Sequence, residues 1–309
     1  MRLFDLHCDT LYRAYQEKGS LFQNDFHVSF ERSRFLKTYI QCMAVWIPDD
    51  YRGTAAEQLF DGCVAKLHEE TDGQDIVILR QDTDLEQLSS GTGVILTVES
   101  GAALAGKKEN IKRFYDCGVR MMTLTWNGTN ELGDGIGVEH PKGLTAFGKE
   151  TVAEMEKLGI IVDVSHASEV LFHDVAQQAT KPLCASHSNL RRLCPHPRNL
   201  TDEQFKFICD NGGLVGINFY RDFLAENGTN AKMYDIIKNA DAFLSLGGAK
   251  NIAFGSDFDG CDIPSDMNGL QDMEELYNMF VRHGYSETLL DDLFFNNAFR
   301  FFKNFFNIN

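Results

Sequence analysis

With 309 residues, 43% hydrophobic and 24% charged, the chain has the composition of a soluble globular protein long enough for one large domain or two smaller ones. A formal charge of -16 excludes a nucleic-acid partner, because phosphate binding needs clustered Lys and Arg. No apolar run approaches the roughly 18 residues of a membrane span, and the first strand begins by residue 3, so a cytoplasmic protein without membrane attachment is expected. The eight cysteines include no Cys-x-x-Cys pair and mostly sit in apolar segments, which reads as reduced core thiols.

The chain opens on Leu3-Phe4-Asp5-Leu6-His7-Cys8-Asp9-Thr10, an apolar strand. Strand alternation puts Asp5, His7 and Asp9 on one face and Phe4, Leu6 and Cys8 on the other, so Cys8 should point away from any metal and Asp5 should support it from behind. A second apolar run spans Tyr39 to Ile47, and helical spacing follows from Thr54 to Glu70. Val94 to Glu99 reads as a strand, Asn110 to Cys117 as a helix, and Val119 to Thr125 as the next strand. Leu144 to Leu158 is amphipathic and ends at Gly159, ahead of the strand Ile160 to Val164.

Ser168 caps a helix reaching about Gln178, and Pro182 to Ser186 is the sixth strand. Thr201 with Gln204 forms a capping box for a helix to Asn211, before the strand Leu214 to Phe219. Met233 to Leu246 is helical, Ile252 to Asp257 is the eighth strand, and the remainder from Leu270 is helical. Eight strand–helix units without a linker predict one (β/α)8 TIM-type barrel, an α/β fold with additional C-terminal helices, forming a single domain over 1–309. No G-x-G-x-x-G or Walker loop follows any strand.

Barrel chemistry sits at the C-terminal strand ends, and those ends are not random here. They finish on His7 and Asp9, Glu99, His166, His187 and Asp257. Singly, each has an ordinary reading: a polar strand end, a helix cap, a core histidine, a turn residue. Together they supply the donors for two cations such as zinc only if one carboxylate bridges, and Glu99 is the natural bridge. Two cations roughly 3.5 to 4 Å apart can share a hydroxide and polarise a carbonyl, leaving Asp257 for proton transfer. Metal-assisted hydrolysis is the expected chemistry. The remaining histidines, including His27, lie in helices or loops and read as surface residues, His196 being left open.

At these same residues the sequence resembles the membrane (renal) dipeptidase family of binuclear zinc metallopeptidases. The likeness runs through Asp5 to Asp9, Glu99-Ser100-Gly101, Gly143 to His166, Ser186-His187-Ser188 and Gly255 to Gly260. It implies that His7 and Asp9 bind one zinc, that Glu99 bridges together with a hydroxide, and that His166 and His187 bind the second. It further implies that Arg198 engages a substrate carboxylate, that Tyr220 is the active-site tyrosine, and that Asp257 is the acid/base. Where mammalian members have a substrate-binding histidine after a Thr-Leu-Thr run, this chain reads Thr123-Leu124-Thr125-Trp126-Asn127. Trp126 or Asn127 takes that role, or turnover or substrate differs.

The expected function is hydrolysis of dipeptides with a free C-terminal carboxylate. The alternatives are another binuclear amidohydrolase, lactonase or phosphotriesterase-like, and a metal-binding protein that has lost catalysis. The aromatic run Phe294 to Phe302 could seal a homodimer, but packing under the barrel is its expected use.

Overall fold

A computed structural model describes residues 1–306. Its first half contains β1 (Arg2–Cys8), α1 (Thr10–Glu17), β2 (Thr38–Trp46), α2 (Thr54–Thr71), β3 (Ile76–Ile78), α3 (Asp82–Gln87), β4 (Gly91–Glu99), α4 (Glu109–Cys117) and β5 (Val119–Thr123). Next come α5 (Ala146–Leu158), β6 (Ile161–Asp163), α6 (Glu169–Gln178), β7 (Cys184–Ala185), α7 (Asp202–Asp210) and β8 (Leu214–Ile217). The last part holds α8 (Arg221–Leu224), α9 (Met233–Ser245), β9 (Ile252–Phe254), α10 (Met273–Arg282), α11 (Glu287–Asp291) and α12 (Asn297–Phe306). All strand pairings are parallel, and eight strands close into a barrel in the order β1-β2-β4-β5-β6-β7-β8-β9, with β9 returning to β1 at Asp5↔Phe254. No helix among the described residues is long and apolar enough to cross a membrane.

The expected barrel and seven of its helical stretches are in place, and local chemistry explains their limits. Thr145, Ser168 and Thr201 accept from backbone N–H groups at the starts of α5, α6 and α7, and Thr201 with Gln204 forms the capping box expected there. Four short elements were not legible. α1, α3, α8 and β3 span 8, 6, 4 and 3 residues, too few turns or alternations to stand out from their surroundings. β3 is a ninth strand that pairs with Thr92–Val94 of β4, while β5 pairs with Leu96–Glu99.

Two buried layers form the core. The outer one lies between strands and helices and includes Leu3, Cys8, Tyr39, Met43, Val98 and Phe219. The inner one takes side chains from every barrel strand, among them Phe4, Leu6, Ile40, Ile95, Met121, Ile161, Cys184, Leu214 and Ala253. It continues into Phe295, Phe301, Phe302 and Phe305 of the C-terminal segment. The terminal aromatic run therefore packs under the barrel, with the Phe302 ring 5.1 Å from that of Phe4. Because Phe302 is fully buried, Phe302→Ala is expected to lower stability by about 3–5 kcal/mol, read as a fall in the urea midpoint at unchanged slope.

The first strand departs from simple alternation. Phe4 and Leu6 face the barrel interior, whereas Cys8 lies in the outer layer beside Leu3. The register against β2 shifts between Asp5 and Cys8, so β1 carries an irregularity of the bulge type. An extra residue inverts the inside-outside sequence. Cys8 thus points outward as expected, but not in the company of Phe4 and Leu6, and the shift is what lets His7 reach the mouth.

Candidate metal centre

The bulged end of β1 brings His7 and Asp9 to the mouth of the barrel, where Glu99 arrives at the end of β4. His7 Nε2 lies 3.3 Å from Asp9 Oδ2 and 3.7 Å from Glu99 Oε2. The other Glu99 oxygen, Oε1, lies 2.9 Å from His166 Nε2 and 3.5 Å from His187 Nε2, and the two histidine nitrogens are 3.0 Å apart. Glu99 therefore faces one donor cluster with each oxygen: His7, Asp9 and Glu99 form one set able to hold a cation, and Glu99, His166 and His187 another. Asp257 joins His7 and His187 in a third, with Oδ1 3.8 Å from His7 Nε2. All of these residues are buried.

Left-handed backbone helps to aim them. His166 (φ 64°) and Asp257 (φ 61°) both adopt a conformation that costs a non-glycine residue on the order of 1 kcal/mol or more. Ser100 (φ 88°) and Asp259 (φ 67°), at the ends of the same barrel strands as Glu99 and Asp257, do likewise. Strain is concentrated at the strand ends that carry the site.

Hydrogen bonds set the histidine tautomers. Asp163 Oδ2 accepts from Ser186 Oγ at 2.5 Å, so the Ser186 oxygen accepts from His187 Nδ1 at 2.7 Å, and the lone pair of His187 Nε2 turns toward the mouth. Asn127 Oδ1 does the same for His166 Nδ1 at 2.8 Å. Asp163 also accepts from Thr123 Oγ1 and from the N–H groups of Ser165 and Ser186, which holds it rigidly. Asp5 mirrors it behind His7, accepting from Ser256 N, Ser256 Oγ and His7 N. Burial nevertheless pushes the Asp5 carboxyl up to about 6.

The electrostatics call for cations. Burial, together with the neighbouring Asp9 and Asp257 carboxylates, pushes Glu99 well above the usual carboxylate range. Burial also raises Asp257, with Asp9 adding to it. Burial, and the positive charges of Arg198 and His7, hold His166 and His187 well below the ordinary histidine value, which favours the neutral imidazole able to donate a lone pair to a cation. Burial disfavours the charged form of His7, but the Glu99 and Asp9 carboxylates overcome it and raise His7 to about 10. His7 Nε2 and Asp9 Oδ1 are buried without any hydrogen-bond partner. Gly260 keeps the space beside them open: a Cβ there would lie 2.0 Å from Asp9 Oδ2 and 2.6 Å from Asp257 Oδ1. The donor set therefore fits divalent metal ions such as zinc.

A cavity of about 930 Å³ opens above the cluster, lined among others by Asp9, Tyr12, Trp46, Glu99, Trp126, Asn127, His166, Tyr220 and Asp257. Trp126 and Asn127 thus both face it, but Asn127 commits its oxygen to His166. Tyr220 is half-buried and donates its hydroxyl to Asp222 Oδ2 at 3.0 Å. Arg198 does not line this cavity. Its guanidinium sits behind His187, donating to Ser188 Oγ (2.9 Å) and the His187 carbonyl (3.0 Å), with Nε unpaired and no carboxylate within 4 Å among the described residues. Burial lowers Arg198 to about 10.

Sequence reasoning missed several supporting groups. Asn218 Nδ2 donates to Asp257 Oδ2 at 3.0 Å, leaving Oδ1 directed at the cluster. Asp259 has a fully buried side chain that takes Thr10 Oγ1, Arg13 Nη1 and the His27 and Val28 N–H groups. His27, expected at the surface, lines the cavity and its Nδ1 accepts from Asp259 N. The motifs contained Asp163, Ser186 and Asp259, but only the folded contacts reveal what each holds.

A (β/α)8 barrel whose strand ends converge histidines and carboxylates on one glutamate defines the class of metal-dependent hydrolases of the amidohydrolase-like type. The sequence profile described as "Membrane dipeptidase (Peptidase family M19)" matches residues 1–308, and the chain belongs to this family of metallopeptidases. It is 36% identical to a Klebsiella pneumoniae protein from the region 5′ of pqqA, over 68% of this chain and 81% of that protein. It is 32% identical to an uncharacterized dipeptidase of Schizosaccharomyces pombe over 68% of this chain, a match spanning only 52% of the yeast protein. In fold it resembles a metallopeptidase from Rhodobacter sphaeroides solved with a phosphinate mimic of L-Ala-D-Ala, with a TM-score of 0.90, 24% identity, and coverage of 98% of this chain and 99% of that one.

Proposed function

We propose that the chain hydrolyses dipeptides with a free C-terminal carboxylate, using two zinc ions. The observation that carries this reading is the division of Glu99 between two donor sets, Oε2 toward His7 and Oε1 toward His166 and His187. His7 and Asp9 would hold one ion, His166 and His187 the other, and Glu99 both. When bound, such a pair acidifies water and polarises a carbonyl. The neutral tautomers fixed by Asn127 and Ser186 keep both Nε2 lone pairs available. Asp257, anchored by Asn218 and raised by burial, takes a proton at Oδ1 and passes it to the leaving amine. Arg198, a buried cation without a carboxylate partner, lies behind His187, and its guanidinium would turn from Ser188 and the His187 carbonyl toward the cavity to meet the substrate's C-terminal carboxylate.

We read 1–309 as one metallo-hydrolase domain, since the first and last barrel strands pair with each other. The eight free thiols support a reducing, cytoplasmic setting. The test compares a dipeptide with its C-terminal amide on protein of measured zinc content. Hydrolysis of the dipeptide is expected to exceed that of the amide by about 100-fold, the scale of losing a charge-assisted contact. Equal rates would instead favour a lactonase or phosphotriesterase-like enzyme, which needs no carboxylate clamp. Zinc-replete protein inert on every dipeptide would favour lost catalysis.

A further inference from the structure

The cavity above the metal centre has two unlike sides. On one, Tyr12 stands edge-on to Trp46 with ring centroids 4.9 Å apart, and Trp46 stands edge-on to Trp126 at the same separation. All three rings line the cavity. Trp46 ends β2 directly across from Glu99 on β4, and the Trp126 ring lies 6.2 Å from that of His166, so the row borders the donor cluster itself. Both tryptophans of the chain stand in this row. Around the barrel the three rings belong to the β1-to-β5 half, whereas Arg198, Tyr220 and Asp257 follow β7, β8 and β9.

Building on the dipeptidase reading above, we infer that the Tyr12–Trp46–Trp126 row is the subsite for the side chain of the dipeptide's N-terminal residue, and that it selects a large apolar or aromatic one. The C-terminal residue presents its leaving nitrogen to Asp257, which lines the cavity with Tyr220, and its carboxylate lies toward the side that carries Arg198, all on the β7-to-β9 half. Its N-terminal neighbour is thereby directed to the opposite side, where the rings stand. Edge-to-face aromatic rows offer broad apolar surface with few donors, and added apolar area there strengthens binding through the transition state. An acidic side chain is disfavoured, because Glu17, Asp259 and Asp262 line the same cavity and the Arg13 guanidinium that also lines it is already paired with Glu17 and Asp259.

Trp126 is the residue to vary, since it lies in a loop after β5, whereas Trp46 is part of the barrel sheet. The metal-loaded protein is assayed with Phe-Gly, Ala-Gly, Glu-Gly, Gly-Phe and Gly-Gly. Phe-Gly is expected to exceed Ala-Gly in kcat/KM by about 10-fold or more, with Glu-Gly below both. Trp126→Ala should bring the Phe-Gly to Ala-Gly ratio close to one, and Trp126→Phe should keep most of it. The Gly-Phe to Gly-Gly ratio should not depend on residue 126. Independently of turnover, L-phenylalanine should perturb the intrinsic tryptophan emission at lower concentration than glycine does. Equal kcat/KM for Phe-Gly and Ala-Gly, or an unchanged ratio in Trp126→Ala, overturns the subsite and leaves the dipeptidase reading intact. Failure to hydrolyse any dipeptide overturns the dipeptidase reading, and the phenylalanine titration then decides the subsite alone.

Discussion

Glu99→Gln is expected to lower kcat/KM by about 1,000-fold or more and to reduce the metal content from two equivalents to one or none. The carboxylate directs one oxygen at each donor set, 2.9 Å from His166 Nε2 on one side and 3.7 Å from His7 Nε2 on the other. An amide carries no negative charge and would turn an N–H₂ group toward one of the two proposed cations. The same change should leave the metal-free protein as stable as its parent. Burial and the neighbouring carboxylates already hold Glu99 well above the usual range, so the neutral amide resembles the form the metal-free site prefers. Metal analysis and urea unfolding of the metal-free variant together check this. Two full equivalents retained by Glu99→Gln would remove the bridge, and a metal-free variant that unfolds much earlier would assign Glu99 to folding instead.

Asp257→Asn should lower kcat by about 100- to 10,000-fold, the usual worth of a positioned acid/base, with little change in KM and two metal equivalents retained. The geometry makes the metal measurement decisive. Oδ1 of Asp257 lies 3.8 Å from His7 Nε2, within a donor set shared with His187, so the residue is near enough to be a ligand. Asn218 fixes the other oxygen, which favours a role in moving protons from one held position. Loss of one equivalent from Asp257→Asn would make it a ligand. Unchanged turnover would exclude both roles.

Much of this architecture was legible in the residue pattern. Strands of the barrel are buried on both faces and so appear as apolar runs, as in Tyr39 to Ile47, and each polar residue that ends such a run marks the mouth. Helix starts at Ser168 and Thr201 were readable because capping is decided within four residues. The pairing of Asp163 with Ser186 and of Asn127 with His166 was not readable, since it joins residues 23 and 39 positions apart. Arg198 illustrates the same limit. Its place in the sequence suggests a clamp, but only the fold shows it lodged behind His187 without a carboxylate of its own.

The sequence alone determined the barrel, because alternating apolar strands and capped amphipathic helices are local patterns with one efficient way to bury their surfaces. It also determined which strand ends carry histidine or carboxylate. Tertiary structure decided the rest. A bulge in β1, set by its register against β2, reversed the expected facing of Phe4 and Leu6 and carried His7 to the mouth. Left-handed turns at His166 and Asp257, stable only in a surrounding that holds them, aimed both side chains inward. The row of Tyr12, Trp46 and Trp126 exists only because three separate strand ends meet on one side of the cavity. Such placements depend on closing the sheet, which no local pattern encodes.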